Sequence, residues 1–291
     1  MAENKEIEAL IKLIDDPDEY VFENVSNKII SMGSLIIPQL QDCGTFTENV
    51  ETYERVQSLI SKLQFNDLRK EFKKWNQDSP DLLAGAMLVS KYLHPDLDSS
   101  FIFKEVEKLR RNIWLELNNY LTPLEQVNVI GSIFYNYAKH TGIQLSYDNA
   151  DHFLLSKALE NKQGNPFANG TIILILCSLL DVPVHAVNIP NLFLLAYFHD
   201  NNYAIMNVKG HPSEKIKFYI DPLNGQMYSH KDIENYFKKL GMPMDAAFFE
   251  PFGSKNIIIL LLSELVKCFD SDINNFRKLE LRELIKIVAL K

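Results

Sequence analysis

The sequence predicts an α+β protein in which one buried helix packs on a small, largely antiparallel sheet, with helical segments on either side. Three observations carry this. The run "TIILILCSLL" (Thr171 to Leu180) is apolar on every side, as a helix surrounded by core must be. It is followed by "VPVHAVNI" (Val182 to Ile189), "LFLLAYF" (Leu192 to Phe198) and "KIKFYIDP" (Lys215 to Pro222). These short runs are rich in Val, Ile, Phe and Tyr and are separated by "PN", "HDNN" and "GHPSE", the punctuation of a strand meander. Before and after them, apolar residues recur every three or four positions. One buried helix followed by a meander predicts that helix packed on the sheet.

The first segment, residues 1–78, reads as helices. Ile7, Leu10, Ile11 and Ile14 share a helical face, and "DDPDEY" offers an aspartate cap with Pro17 near a first turn. The helix that starts there carries Val21, Val25, Ile29 and Ile30 inward and stops near "MGS", in the manner of a HEAT-type helix pair. A break at Gly44/Thr45 precedes an amphipathic stretch from Val56 to Phe72, and "NQDSPD" marks a boundary.

The central segment, residues 79–253, opens with a dense helix over Leu82 to Leu93. Ser99 or Ser100 is placed to cap the next helix, whose apolar positions are Ile102, Val106, Leu109, Ile113 and Leu117. "TPLEQ" puts Thr122 at an N-cap, Pro123 at the first helical position and Glu125 close behind. After the strands, Ser229 and Asp232 stand in capping-box spacing and Gly241 closes the helix they start. The last segment, residues 254–291, reads as a helical hairpin, and no tandem repeat runs on far enough to make a solenoid.

Composition narrows the function. With 30 Lys and Arg against 38 Asp and Glu, the formal charge is -8, which argues against nucleic acid or an anionic membrane as partner. The longest apolar run is about half of the ~20 residues that span a bilayer. The charged N-terminus lacks the pattern of a secretory signal. Cys43, Cys177 and Cys268 are far apart and show no CxxC spacing, so neither a disulfide framework nor a zinc cluster is expected, and a reducing cytoplasm fits best. No HxxxH, HExxH, DxDxDG, GxGxxG or GxxxxGK[ST] occurs, so no metal and no other cofactor is expected.

The stretch "GNPFANGTIILILC" (Gly164 to Cys177) has the loop-to-helix shape in which thiol enzymes hold a nucleophile. Cys177, however, lies about three turns into the helix with Ile173, Leu174 and Leu180 as neighbours, the setting of an inert core cysteine. His185, flanked by Val184 and Ala186, faces opposite to both and is either structural or able to meet Cys177 or Asp221 across the sheet. His94, His140, His199, His211 and His230 stand beside turns and are expected to be exposed, while His152 is a candidate for the cleft rim. Tyr135, Tyr137, Tyr147, Phe153 and Phe193 either line a groove or fill the core.

"DLLAGAMLVSKYLHPDLD", "LLSKALENKQGNP", "LLDVPVHAVNIPNLFLLAYF" and "YIDPLNGQMYSHKDI", in that order, resemble the transglutaminase-like core of the bacterial SirB-type proteins, within the papain-fold transglutaminase superfamily. The helical N-terminal segment and a tetratricopeptide-like terminal hairpin also fit that family's layout. The resemblance implies a thiol site: a cysteine at the start of the core helix, a histidine in the next strand region, an aspartate one strand later. The matching positions here are Pro166, Leu192 and Asp221. Neither a nucleophile nor a proton acceptor stands at the first two, and "DPLNG" around Asp221 is also a good turn.

The expected function is therefore that of a pseudoenzyme binding protein or peptide, with Asn191, Phe193, Asp221 and Asn224 as candidate binding residues in a cleft that is either open or filled by Leu192 and Phe167. The rival is a thiol hydrolase or amidase that uses a relocated set of Cys177, His185 and Asp221. The sequence leaves the ligand and the oligomeric state open.

Overall fold

In the computed structural model, residues 2–46, 49–78, 80–199, 211–270 and 275–290 are described. They pack as two compact units, residues 1–73 and 74–291.

The first unit holds α1 (Ala2–Lys12), α2 (Glu19–Met32), α3 (Ile37–Phe46) and most of α4 (Val50–Gln77) around a core of Ile14, Val25, Ile29, Leu40, Val56, Leu59 and Leu63. The aspartate cap expected in "DDPDEY" is Asp18, which accepts from the Tyr20 N–H at 2.9 Å directly after Pro17. The break expected at Gly44/Thr45 is corrected, since both residues stay helical in α3. The Val56–Phe72 stretch grows into 28 residues, since Asn49 caps the Glu51 N–H and the Glu51–Arg55 pair holds a polar turn that apolar spacing does not report. Arg55 also donates to the Ile14 and Asp16 carbonyls, tying the end of the α1 segment to α4.

The second unit begins with α5 (Leu82–Leu93), α6 (Ser99–Glu116) and α7 (Pro123–Gly131). Asp98 caps α6 by accepting from Ser100 and Phe101, which corrects the expected Ser99 or Ser100; a carboxylate one residue upstream reaches both amides. At α7 the Thr122–Glu125 capping box forms as its spacing predicts, and the helix relaxes into a π-helical turn over Ser132–Tyr137. A two-residue parallel pair, β1 (Thr141–Gly142) and β2 (Gln163–Gly164), brackets α8 (Leu155–Asn161) and leads into α9 (Pro166–Leu179).

The main sheet is an antiparallel meander of β3 (Val184–Ile189), β4 (Leu192–Phe198), β5 (Ile216–Ile220) and β6 (Met227–Tyr228), in that order. Pairs such as Val187↔Leu194 and Ala196↔Tyr219 fix its register. Strand alternation then sorts the side chains. Val187, Ile189, Leu194, Ala196, Phe198 and Tyr219 form one core with Ile233 and Phe237 of α10 (His230–Leu240) and with Phe249. The opposite face, with Val184 and Ile220, meets α9, whose residues Phe167 through Cys177 are all buried. The Asp200–Asn202 part of the "HDNN" separator lies outside the described residues.

α11 (Ser254–Lys267) and α12 (Asn275–Ala289) pack on each other, and α11 packs on α5. Gly85 permits that contact: a Cβ there would meet Trp75 at 2.7 Å and Ile258 at 2.8 Å. Among the described residues, no helix is long and apolar enough to cross a membrane.

Candidate functional site

The junction that starts α9 is built from two fully buried amides. Asn165 caps the helix through its Oδ1, which accepts from the Ala168 N–H at 3.0 Å, and Pro166 follows at the first helical position, where a missing N–H costs nothing. Asn169, one turn on, donates from Nδ2 to the Thr141 carbonyl at 3.2 Å and so pins the helix to β1. Gly164 is required here, since a Cβ would lie 2.6 Å from the Asn169 Oδ1. The helix start therefore presents a ring and two amides, with no thiol or hydroxyl.

Aromatic rings occupy the space beside it. Phe167 stacks on Phe193 with centroids 4.9 Å apart, and Phe153 and Tyr147 continue the stack at 6.0 and 5.8 Å. Phe193 and Pro222 both press on Gly170, where a Cβ would come to 2.6 and 3.2 Å of them. Leu192, expected to fill this cleft with Phe167, does not do so. It packs against the core shared with α10, because neighbouring strand residues point to opposite faces and Phe193 takes the α9 side. Of the expected groove aromatics, Phe153 and Phe193 are buried and Tyr137 is exposed.

The rival set is not brought together. Cys177 is 1% exposed, and burial pushes its thiol up to about 12. It borders a cavity of about 20 Å³ with Ile130, Tyr135, Ile173, Val184 and Ile220. Val184 shares that cavity, so His185, next along β3, points away from it. The His185 ring lies edge-on to Phe198 at 5.4 Å, its Nε2 has no hydrogen-bond partner, and burial lowers its pKa. That alternation turns His185 away from Cys177, so the alternative in which the two meet across the sheet is not formed.

Asp221 serves a turn. Its carboxylate accepts from the Leu223 N–H at 2.8 Å, its carbonyl accepts from the Gly225 N–H at 2.8 Å, and Gly225 adopts a φ of 77°. Asn224 supports the same turn by accepting from the Gln226 N–H at 2.9 Å. Tyr135 clamps it from outside, donating to the Pro222 carbonyl at 2.8 Å. Asn191 is exposed, with a φ of 61° in the β3–β4 turn.

Of the five histidines expected to be exposed, only His199 is; His94, His211 and His230 are half-buried, the last two with ring nitrogens against the Met244 and Ile216 carbonyls. His140, expected at the surface, is buried with its ring stacked on Phe134 at 4.3 Å, and burial, aided by Lys162, lowers its pKa to about 4. His94 pairs with Asp151 at 2.8 Å. His152 accepts from the Asn165 N–H through its carbonyl, beside the junction. Among the described residues, no group of three or more His, Cys, Asp or Glu side chains is placed to hold a metal ion. Sequence reading missed the Asn165/Asn169 pair, whose signal was present: two asparagines four apart, the first directly before Pro166.

Residues 101–263 match the family model described as the transglutaminase-like superfamily. The chain is similar to protein SirB1 of Salmonella typhimurium, 25% identical over 169 residues that cover 58% of each chain. It is similar to a UPF0162 protein of Vibrio cholerae, 21% identical over 157 residues, 54% of this chain and 53% of that one. Mouse F-box only protein 21 matches at 22% identity over 247 residues, 76% of this chain and 36% of that protein. The chain thus spans about 58% of the length of the SirB1 relatives it matches. No solved structure matches.

Proposed function

The chain belongs to the transglutaminase-like superfamily, as a SirB-type member, and on that premise we propose that it is a non-catalytic member that acts by binding protein or peptide in the cytoplasm. The observation that carries this is the start of α9, where Asn165 and Pro166 stand in place of a nucleophile and the Phe167–Phe193 stack takes up the adjoining space. Acyl transfer through a thiol needs a thiolate beside a proton acceptor. Leu192 accepts no proton and is turned to the far side of the sheet. The buried Cys177, its pKa raised, and His185 on the opposite face do not replace the pair.

The test is thiol labelling and turnover, measured together on the full chain. Iodoacetamide at neutral pH is expected to leave Cys177 unmodified until denaturant is added, and a fluorescent primary amine is expected not to be incorporated into a glutamine-bearing protein. Rapid labelling of Cys177 in the folded chain, or amine incorporation abolished by Cys177→Ala, would replace this reading with the thiol hydrolase or amidase.

A further inference from the structure

α6 buries Ile102, Val106, Leu109 and Ile113 at helical spacing, so the residues between them face out. That outer face is unusual in composition. Phe103 is 51% exposed, Trp114 60% and Leu115 68%, and they stand at the two ends of a basic centre made by Lys104, Lys108 and Arg111. Residues 103, 107, 111 and 114 follow one another by four, four and three positions and so lie along one line of the helix. Phe103 and Trp114 are eleven positions apart, about 17 Å along the helix, and so offer two separate apolar anchors with the charged centre between them.

The charges on this face are only partly satisfied. Arg110 closes on Glu107 through two bonds of 2.7 Å, and Lys108 reaches Glu105 at 3.7 Å. Lys104 and Arg111 form no ion pair within 4 Å among the described residues, although, after Arg110, Arg111 adds to the field that lowers the pKa of Glu107. Counting residues 104–111, four cations face two carboxylates, a local charge of +2 in a chain whose formal charge is -8.

We infer that the outer face of α6 docks an acidic segment of a partner protein that places apolar side chains on Phe103 and Trp114 and carboxylates on Lys104 and Arg111. This inference rests on the binding reading above and names its surface. From Phe103 to Leu115 the stripe is about 18 Å long at 1.5 Å per residue, which suits three turns of a partner helix. A short acidic segment feels mainly charges within the Debye length of ~8 Å, where the stripe is positive. An anionic bilayer or a nucleic acid approaches the whole acidic chain and is repelled, so the segment of protein is favoured.

The test exploits Trp114, because Trp75 is buried and gives a constant background. A displayed library of random twelve-residue peptides is selected on the immobilised full chain, and enriched peptides are synthesised and titrated by tryptophan fluorescence on the parent and Arg111→Glu chains and, dye-labelled, by fluorescence anisotropy on the parent and Trp114→Ala chains. Enriched peptides are expected to combine Asp or Glu with aromatic or aliphatic residues and to bind more weakly as salt rises. Trp114→Ala and Arg111→Glu should each weaken them by about tenfold, equivalent to ~1.4 kcal/mol. Both sites are exposed, and an unchanged circular dichroism spectrum verifies folding.

No enrichment overturns the inference. Peptides that bind equally well to both variants also overturn it, while leaving the binding reading intact. Co-sedimentation with phosphatidylcholine–phosphatidylglycerol vesicles that Trp114→Ala abolishes would assign the stripe to a membrane instead. Failure of the parent reading shows up separately, as amine incorporation or Cys177 labelling.

Discussion

Phe167 and Phe193 stack with their centroids 4.9 Å apart and their planes 23° from parallel, which joins the first turn of α9 to the second residue of β4. One ring comes from the helix and the other from the strand on which the family resemblance would place a nucleophile and its base, and together the rings fill space between the two elements.

The stack is expected to carry stability. Phe193→Ala removes a buried ring from Phe167 and Gly170 and should cost about 3–5 kcal/mol, whereas Phe193→Leu should cost much less. Urea denaturation of the two variants checks this. A loss under about 1 kcal/mol for the alanine variant would mean that the rings are not tightly packed.

Acid is expected to weaken the fold through His140. Its pKa is lowered to about 4 in the folded chain, chiefly by burial, against about 6.5 when unfolded. Between these values the unfolded chain binds more protons, so full stability holds above the upper value and is lost as pH falls toward the lower one. Burial of His185 acts with the same sign. Denaturation midpoints followed from neutral pH downward should show a shallower fall in His140→Gln than in the parent. An identical slope would remove His140 from the account.

Gly85→Ala tests the helix contact in the second unit. An alanine gains about 1 kcal/mol of helix propensity, but its Cβ would meet Trp75 at 2.7 Å and Ile258 at 2.8 Å. Overpacking costs about 1–3 kcal/mol, so the net effect should be destabilising by thermal denaturation. A raised melting temperature would show that the α5–α11 contact yields without cost.

Much of this architecture was legible in the residues. The capping boxes at Thr122 and Ser229, the α5 helix from Leu82 to Leu93 and the strand meander all follow from local rules of spacing. The misreadings share a physical cause. Helix ends at Asn49 and Asp98 depend on which carboxylate or amide reaches a free N–H, and apolar periodicity is silent on that. The burial of His140 comes from a ring of the preceding turn, Phe134, folding over it. At the candidate site, the sequence indicated what residue types stand at the α9 junction. Which of Leu192 and Phe193 faces the helix depended on strand register, which one residue of slip reverses.

That reversal constrains how such a site changes over generations. A cysteine written at Pro166 and a histidine at Leu192 would stand at the positions the family resemblance implies, yet the imidazole would lie on the side of β4 away from α9, against the α10 core. Regaining a pair that meets would also demand a shift of the Pro190–Asn191 turn and eviction of Phe193 from its place on Phe167. Moving Phe193 alone would unseat a buried ring from Phe167 and Gly170. The Phe167–Phe193 stack therefore acts as a lock on the face that each residue of β4 presents, and a substitution at 192 alone leaves the new side chain with α10.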